Sequence, residues 1–158
     1  MSTRFTIRRM RPADLERILA IENASFGSEA WDRNLFAGYS RTCGELFLVV
    51  AEGTRNICGY MITCTRGGRA ELVSVAVDPR ARGRGAASAL LESTLRRLRR
   101  RAIARLSLMV KTSNDPARAF YEKYGFRKVR RVPRYYEDGA DGWLMALPLA
   151  IAVPFERE

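Results

Sequence analysis

The stretch Val75-Ala-Val-Asp-Pro-Arg-Ala-Arg82-Gly83-Arg-Gly85-Ala-Ala87-Ser-Ala-Leu-Leu91 decides the reading of this chain. An apolar, strand-like run ends at Asp78-Pro79, a glycine-rich turn follows, and an amphipathic helix begins at once. The turn reads Arg-x-x-Gly-x-Ala from Arg82 to Ala87. Glycine lets the backbone approach a ligand closely and adopt dihedrals closed to other residues. The first N–H groups of the helix have no intrahelical partner and sit at the positive end of its dipole, an arrangement suited to phosphate. The turn lacks the Gly-Lys-Ser/Thr of a nucleotide-triphosphate loop and the third glycine of a dinucleotide fingerprint. By itself it is equally readable as a tight strand-to-helix connection.

At 158 residues, 47% hydrophobic and 28% charged, the chain reads as one globular domain over 1–158, with its core at about 5–149. No apolar run reaches the ~18 residues of a membrane span, and Met1–Arg9 lacks the apolar centre of a signal peptide. Three cysteines without metal-type spacing fit a reducing, cytoplasmic setting. The absence of histidine removes the usual catalytic base and a common metal ligand, and no metal is expected. The formal charge of +11 comes almost wholly from arginine, the only lysines being Lys111, Lys123 and Lys128. Such a surface favours polyanions. Arg96-Arg97-Leu98-Arg99-Arg100-Arg101 reads either as a solvated helix end complementing the dipole or as an anion site. Without aromatic interleaving or a recognisable module, no dedicated nucleic-acid site is expected, and no membrane partner.

Around the turn, the periodicities predict strands at Phe5–Arg9, Leu46–Ala51, Ile57–Thr65, Ala70–Val77, Leu106–Val110, Phe126–Arg131 and Trp143–Leu147. Helices are expected over Pro12–Glu22, Trp31–Tyr39, about Gly83–Arg101, and from Asn114 to near Tyr124, with Gly125 as C-cap.

This order, β-α-α-β-β-β-α-β-α-β-β, together with the turn, resembles the GNAT acetyltransferase superfamily. Ile21-Glu22-Asn-Ala-Ser-Phe26 followed by Trp31, the frame Thr112-Ser113-Asn114…Ala119-Phe120-Tyr121-Glu122-Lys123-Tyr124-Gly125-Phe126, and Tyr135-Tyr136…Asp141-Gly-Trp-Leu-Met145 are similar to the protein N-terminal acetyltransferases, including the RimI type that acts on a ribosomal-protein alanine. The resemblance implies an α/β GNAT fold: a mixed, mostly antiparallel sheet of about seven strands flanked by about four helices. It implies acetyl-CoA as cosubstrate and a protein N-terminus, such as that of a ribosomal protein, as acceptor, with direct attack by the amine.

By that resemblance Val75, Ala76 and Val77 hold the pantetheine arm, with the Val75 N–H facing the developing oxyanion. Backbone N–H groups of Arg82, Gly83, Arg84, Gly85, Ala86, Ala87 and Ser88 hold the pyrophosphate, and Asn114 contacts the pantetheine; plain core strand and helix cap are the simpler readings. Tyr121 is the candidate general acid, since a phenol with a pKa near ~10 is protonated at neutral pH; the alternative is a packed aromatic. Tyr135 and Tyr136 are acceptor-site candidates, or two rings packing a hairpin. Glu137, Asp138 and Asp141 form an acidic patch that either attracts a basic acceptor segment or solvates a loop.

The base departs from the RimI pattern, in which a Glu occupies the strand before Ser-Asn. Met109 stands there, and a thioether takes no proton. Glu71 lies four residues before Val75 and eleven before Arg82, the spacing of the base in the histone-lysine enzymes of the superfamily. On an apolar strand face, shielded from water, its pKa would rise; a surface pairing with Arg69 is the alternative. Glu22 is a second candidate, in the acceptor site or as base, and ordered water a third. A lysine or small-amine acetyltransferase and a non-catalytic acetyl-CoA sensor stay open.

Overall fold

Proline at 12, a β-region entry and an Asp14 that folds back on its own turn start the first helix of the computed structural model, which describes residues 4–149. Asp14 accepts from the Arg11 N–H at 2.8 Å and from both terminal nitrogens of Arg8, at 2.8 and 3.0 Å. Helix α1 (Leu15–Phe26) then runs to Gly27, whose φ of 55° ends it. It is preceded by strand β1 (Phe5–Arg9). Helix α2 spans Arg33–Thr42, starting two residues later than the periodicity predicts. The reason is Asp32, whose carboxylate accepts from Leu35 N–H at 2.9 Å and caps the helix. Trp31 lies outside it and stacks on Tyr39 with ring centroids 5.2 Å apart.

Strands β2 (Phe47–Glu52), β3 (Asn56–Arg66) and β4 (Arg69–Val77) follow, then α3 (Ala86–Arg100), β5 (Arg105–Lys111), α4 (Asp115–Lys123), β6 (Arg127–Val132) and β7 (Gly142–Pro148). The seven strands form one sheet in the order β1-β2-β3-β4-β5-β7-β6. The β4–β5 pairing is parallel, and the pairings of β1 with β2, β2 with β3, β5 with β7 and β6 with β7 are antiparallel. The mixed, mostly antiparallel seven-stranded sheet with four helices is the architecture that the resemblance implies.

The chain divides into two compact units. The first comprises the residues up to Cys64 together with Leu72–Arg97. Its core lies under α1 and α2, where Ile18, Ile21 and Phe36 meet Phe47, Val49, Tyr60 and Ile62 of β2 and β3. Phe36 meets Tyr60 edge-on at 5.3 Å between centroids. Met61, one residue on, points to the other face, where its sulfur accepts from Thr94 Oγ1 of α3.

A disulfide joins Cys43, at the end of α2, to Cys64 in β3, with their Cα atoms 5.1 Å apart; Cys58 is free and buried. The cysteine count and spacing in the sequence give no sign of this bond. The partners are 21 residues apart in sequence, and only the packing of α2 on β3 brings them together.

The second unit comprises Thr65–Glu71 and the chain from Leu98 on. Along β5, Leu106, Leu108 and Val110 are buried, while Arg105, Ser107, Met109 and Lys111 form the half-exposed face. In α4, Pro116 sits in the first turn and Asn114 Oδ1 accepts from Ala117 N–H at 3.2 Å. No helix among the described residues is long and apolar enough to cross a membrane.

Candidate active site

In the first unit the β4–α3 connection is the focus. Gly83 and Gly85 have φ of 80° and 97°. These left-handed values are incompatible with helix, so α3 starts at Ala86 rather than at Gly83. A Cβ on Gly83 would meet nothing within 4 Å, and one on Gly85 only Phe5 at 3.8 Å; backbone conformation, not crowding, calls for glycine here. The first backbone hydrogen bond across the junction runs from Ala89 N–H to Gly85 O at 2.9 Å. The N–H groups of Ala86, Ala87 and Ser88 therefore lie in the unpaired first turn.

The arginines of the turn point back into the fold. Arg84 makes a two-pronged contact with Glu52, at 2.7 and 3.1 Å. Arg82 donates to Val77 O at 3.1 Å and to Ser25 Oγ of α1 at 3.2 Å. What the turn offers a ligand is backbone N–H groups and a helix dipole, a donor set that fits a diphosphate.

Asp78 anchors the start of this turn. It is buried, caps Arg80 N–H at 2.9 Å and accepts from Arg17 of α1 at 2.6 Å. The Arg80 N–H, followed by Arg17, draws its carboxyl down to about 2. The Asp78 N–H donates to Cys58 O of β3 at 2.7 Å. By ladder alternation, Val75 and Val77 then direct their N–H and C=O groups away from β3, whereas Ala76 faces it. The β4–β5 register covers Arg69–Glu71 with Arg105–Ser107.

Glu22 is 2% exposed. One carboxylate oxygen accepts from Trp31 N–H at 2.9 Å, and the other from the Tyr60 hydroxyl, which also contacts Ser74 Oγ of β4 at 2.9 Å. Burial, with Glu22 second, pushes the Tyr60 phenol far above its ordinary range, so it stays a donor. Tyr60, the partner of Glu22, and Ser74, which contacts Tyr60, were invisible in the sequence: they are 38 and 52 residues from Glu22 and carry no motif.

In the second unit Tyr121 of α4 is 7% exposed. Its ring is edge-on to Phe120 and Phe126, and its hydroxyl has no hydrogen-bond partner among the described residues. Burial, helped by Tyr136, raises its pKa to about 12. Tyr136 is raised to about 12 as well, by burial first and then by Tyr135 and Asp138. Tyr135 and Tyr136 meet edge-on at 4.9 Å, with Tyr135 48% exposed. Beneath them, a Cβ on Gly142 would fall 2.7 Å from the terminal methyl of Met109 and 3.3 Å from the Tyr136 ring. Met109 thus packs against bare backbone at the foot of the tyrosine pair.

Two expectations change. Glu71 is exposed rather than shielded on its strand, and no ion pair joins it to Arg69. The acidic patch is largely neutralised: Asp138 pairs with Lys111 at 2.8 Å, and Asp141 with Arg131 at 2.7 Å and with Arg134 N–H at 2.9 Å. The Lys111 and Arg131 partners draw both carboxyls below the usual range, after the Arg134 N–H in the case of Asp141. Asn114 spends its oxygen on the helix cap, leaving the amide nitrogen as the group able to meet a ligand. No cluster of metal-ligating side chains occurs among the described residues.

The model of the "Acetyltransferase (GNAT) family" matches residues 13–126. An N-alpha-acetyltransferase of Saccharolobus solfataricus is 32% identical over 158 residues, covering 92% of this chain and 93% of its own. The [ribosomal protein bS18]-alanine N-acetyltransferase of Escherichia coli is 33% identical over 151 residues, covering 92% and 99%. The crystal structure of Ard1 from Thermoplasma volcanium superimposes with a TM-score of 0.87 at 30% identity, covering 92% and 98%. The phosphate-type turn, the protonated tyrosine and these likenesses agree: the chain belongs to the acetyltransferase (GNAT) family and is an N-acetyltransferase whose cosubstrate is acetyl-CoA.

Proposed function

We propose that this acetyltransferase acts on the N-terminal α-amine of a protein, in the cytoplasm, with a ribosomal protein as one acceptor class. The observation that carries this reading is the Tyr135–Tyr136 pair packed over Met109 and Gly142, in a chain similar over nine-tenths of its length to a relative named for α-amine transfer. Ring faces and hydroxyls there suit a peptide backbone and an amine.

Acetyl-CoA supplies the activated acetyl thioester. Ala86, Ala87 and Ser88, with Arg82–Gly85, hold its diphosphate through backbone N–H groups, and Val75, Ala76 and Val77 line its arm, with Val75 N–H as the oxyanion donor. Asn114 steadies the arm through its amide. Tyr121, protonated at neutral pH, gives its hydroxyl proton to the leaving sulfur.

The loss of a base at Met109 is compatible with an α-amine. About a tenth of α-amino groups with pKa near ~8 are neutral at pH 7, against below ~0.1% for lysine at ~10.4. Exposed Glu71 is the base reached through solvent, and buried Glu22 fixes the Trp31 segment of the first unit through the Trp31 N–H.

The test is CoA release with two matched peptides, one with a free N-terminal Ala and no lysine, the other blocked and carrying one lysine. Turnover on the first alone is expected, with Glu71→Gln lowering it. Turnover on the lysine peptide alone overturns the reading.

A further inference from the structure

We infer that the half-exposed sheet face of the second unit receives an acidic stretch of the acceptor polypeptide, a few residues after its N-terminus. This rests on the α-amine reading. Side chains of paired residues point to the same side of a sheet. Arg69 pairs with Arg105, and Glu71 with Ser107. Ser107 pairs with Ala146 and Met109 with Leu144, which in turn pair with Arg127 and Arg130. The register shift between Lys128 and Arg130 brings Arg127 and Arg130, three apart in sequence, onto that same face.

The face therefore has a low apolar floor of Met109, Leu144 and Ala146, with Arg69, Arg105, Arg127 and Arg130 around it. Arg69, Arg127 and Arg130 are exposed and Arg105 half-buried. None of the four is paired with a carboxylate among the described residues. Arg69 and Arg105 stand directly side by side, an arrangement that is destabilising without a counter-charge. Among the described residues Glu71 is the single carboxylate that the register places on this face, against four guanidinium groups. Asp138 and Asp141 are already held by Lys111 and Arg131.

One end of the face is the tyrosine-covered seat of Met109. From Met109 to Arg105 is four residues of strand, about 13 Å, so an extended acceptor whose first residues lie under Tyr136 meets the arginines roughly four residues in. Charge complementarity selects an acidic segment. The aromatic rings of the face, Tyr135 and Tyr136, are gathered at its Met109 end and none stands among the four arginines, so the arginine end offers charge without the interleaved stacking that single-stranded nucleic acid uses.

The experiment uses three peptides sharing Ala and the next two residues, followed by acidic, neutral or basic residues. At low salt, kcat/KM is expected to fall from acidic to neutral to basic, spanning about tenfold, and the span should shrink at 0.5 M salt. The double variant Arg105→Glu/Arg127→Glu should invert the order, and Arg105→Lys/Arg127→Lys should keep it. Equal turnover of the three peptides, or an order unchanged in the reversed variant, overturns the inference while leaving the α-amine reading intact. Turnover of none of them sinks that reading and this one with it. Retention on a single-stranded RNA, lost in the reversed variant and without peptide discrimination, would assign the face to nucleic acid instead.

Discussion

Arg17 Nη2 lies 2.6 Å from Asp78 Oδ2, so a residue in the first turn of α1 holds the carboxylate at which the glycine turn, the proposed diphosphate seat, begins. Arg17 also donates through Nε to Ile57 O at 2.9 Å, tying α1, β3 and the turn at one point. Asp78→Asn is expected to raise the KM for acetyl-CoA about tenfold, with less than twofold change in the KM for the acceptor. Acetyl-pantetheine, which lacks the diphosphate, should be used equally well by both proteins. Equal losses with both donors would show that Asp78 matters only for general stability.

The same carboxyl sets an acid limit. Its folded pKa, about 2, lies below the ordinary 3.8. Its contribution is thus fully present above about pH 4 and is lost as pH falls through 2. Because Arg17 and Arg80 reach solvent, about 1 kcal/mol is a suitably discounted figure. Denaturant titrations of wild type and Asp78→Asn should separate by that amount at pH 7 and converge only as pH falls below 2.

Tyr121→Phe removes only a hydroxyl that no described residue uses, so the fold should be unaffected. As the acid, its loss is expected to lower kcat by about 10²–10³-fold with the KM for acetyl-CoA little changed. A pKa raised to about 12 keeps the proton in place as pH rises. The wild-type rate should show no loss attributable to this phenol up to pH 10 and should fall only as pH approaches 12. An alkaline limb near pH 8 that disappears in Tyr121→Phe would contradict the assignment.

Gly83→Val places a β-branched side chain at φ 80°. No atom obstructs its Cβ, so the cost is conformational, about 1–2 kcal/mol. The turn should relax and lose acetyl-CoA affinity while Tm falls by only a few degrees. Calorimetric titration with CoA checks this, and unchanged affinity would count against backbone capture of the diphosphate.

Reducing Cys43–Cys64 reopens a loop of 21 residues. The chain-entropy relation gives about 3 kcal/mol, or roughly a 10 °C fall in Tm for a chain of this size. Melting with and without reductant, with Cys43→Ser as the reduced-state control, measures it. A Tm indifferent to reductant would show the bond to be absent in solution.

Local patterns in the sequence determined much of this protein. Alternation and helical periodicity set seven strands and four helices within a few residues, because burying one face of a strand or helix leaves its period in the chain. The Asp-Pro and Gly-x-Gly punctuation located the turn proposed to hold the diphosphate, since left-handed backbone and an uncapped helix start need those residue types. What the tertiary structure alone decided were relations between side chains distant in sequence: Glu22 with Tyr60, Tyr60 with Ser74, Arg17 with Asp78, Asp138 with Lys111, and Cys43 with Cys64. Ion pairs and hydrogen bonds impose no period and no spacing. Whether Glu71 is shielded or exposed, and whether an acidic loop is free or neutralised, follows from which strands become neighbours, and that is settled only when the sheet assembles.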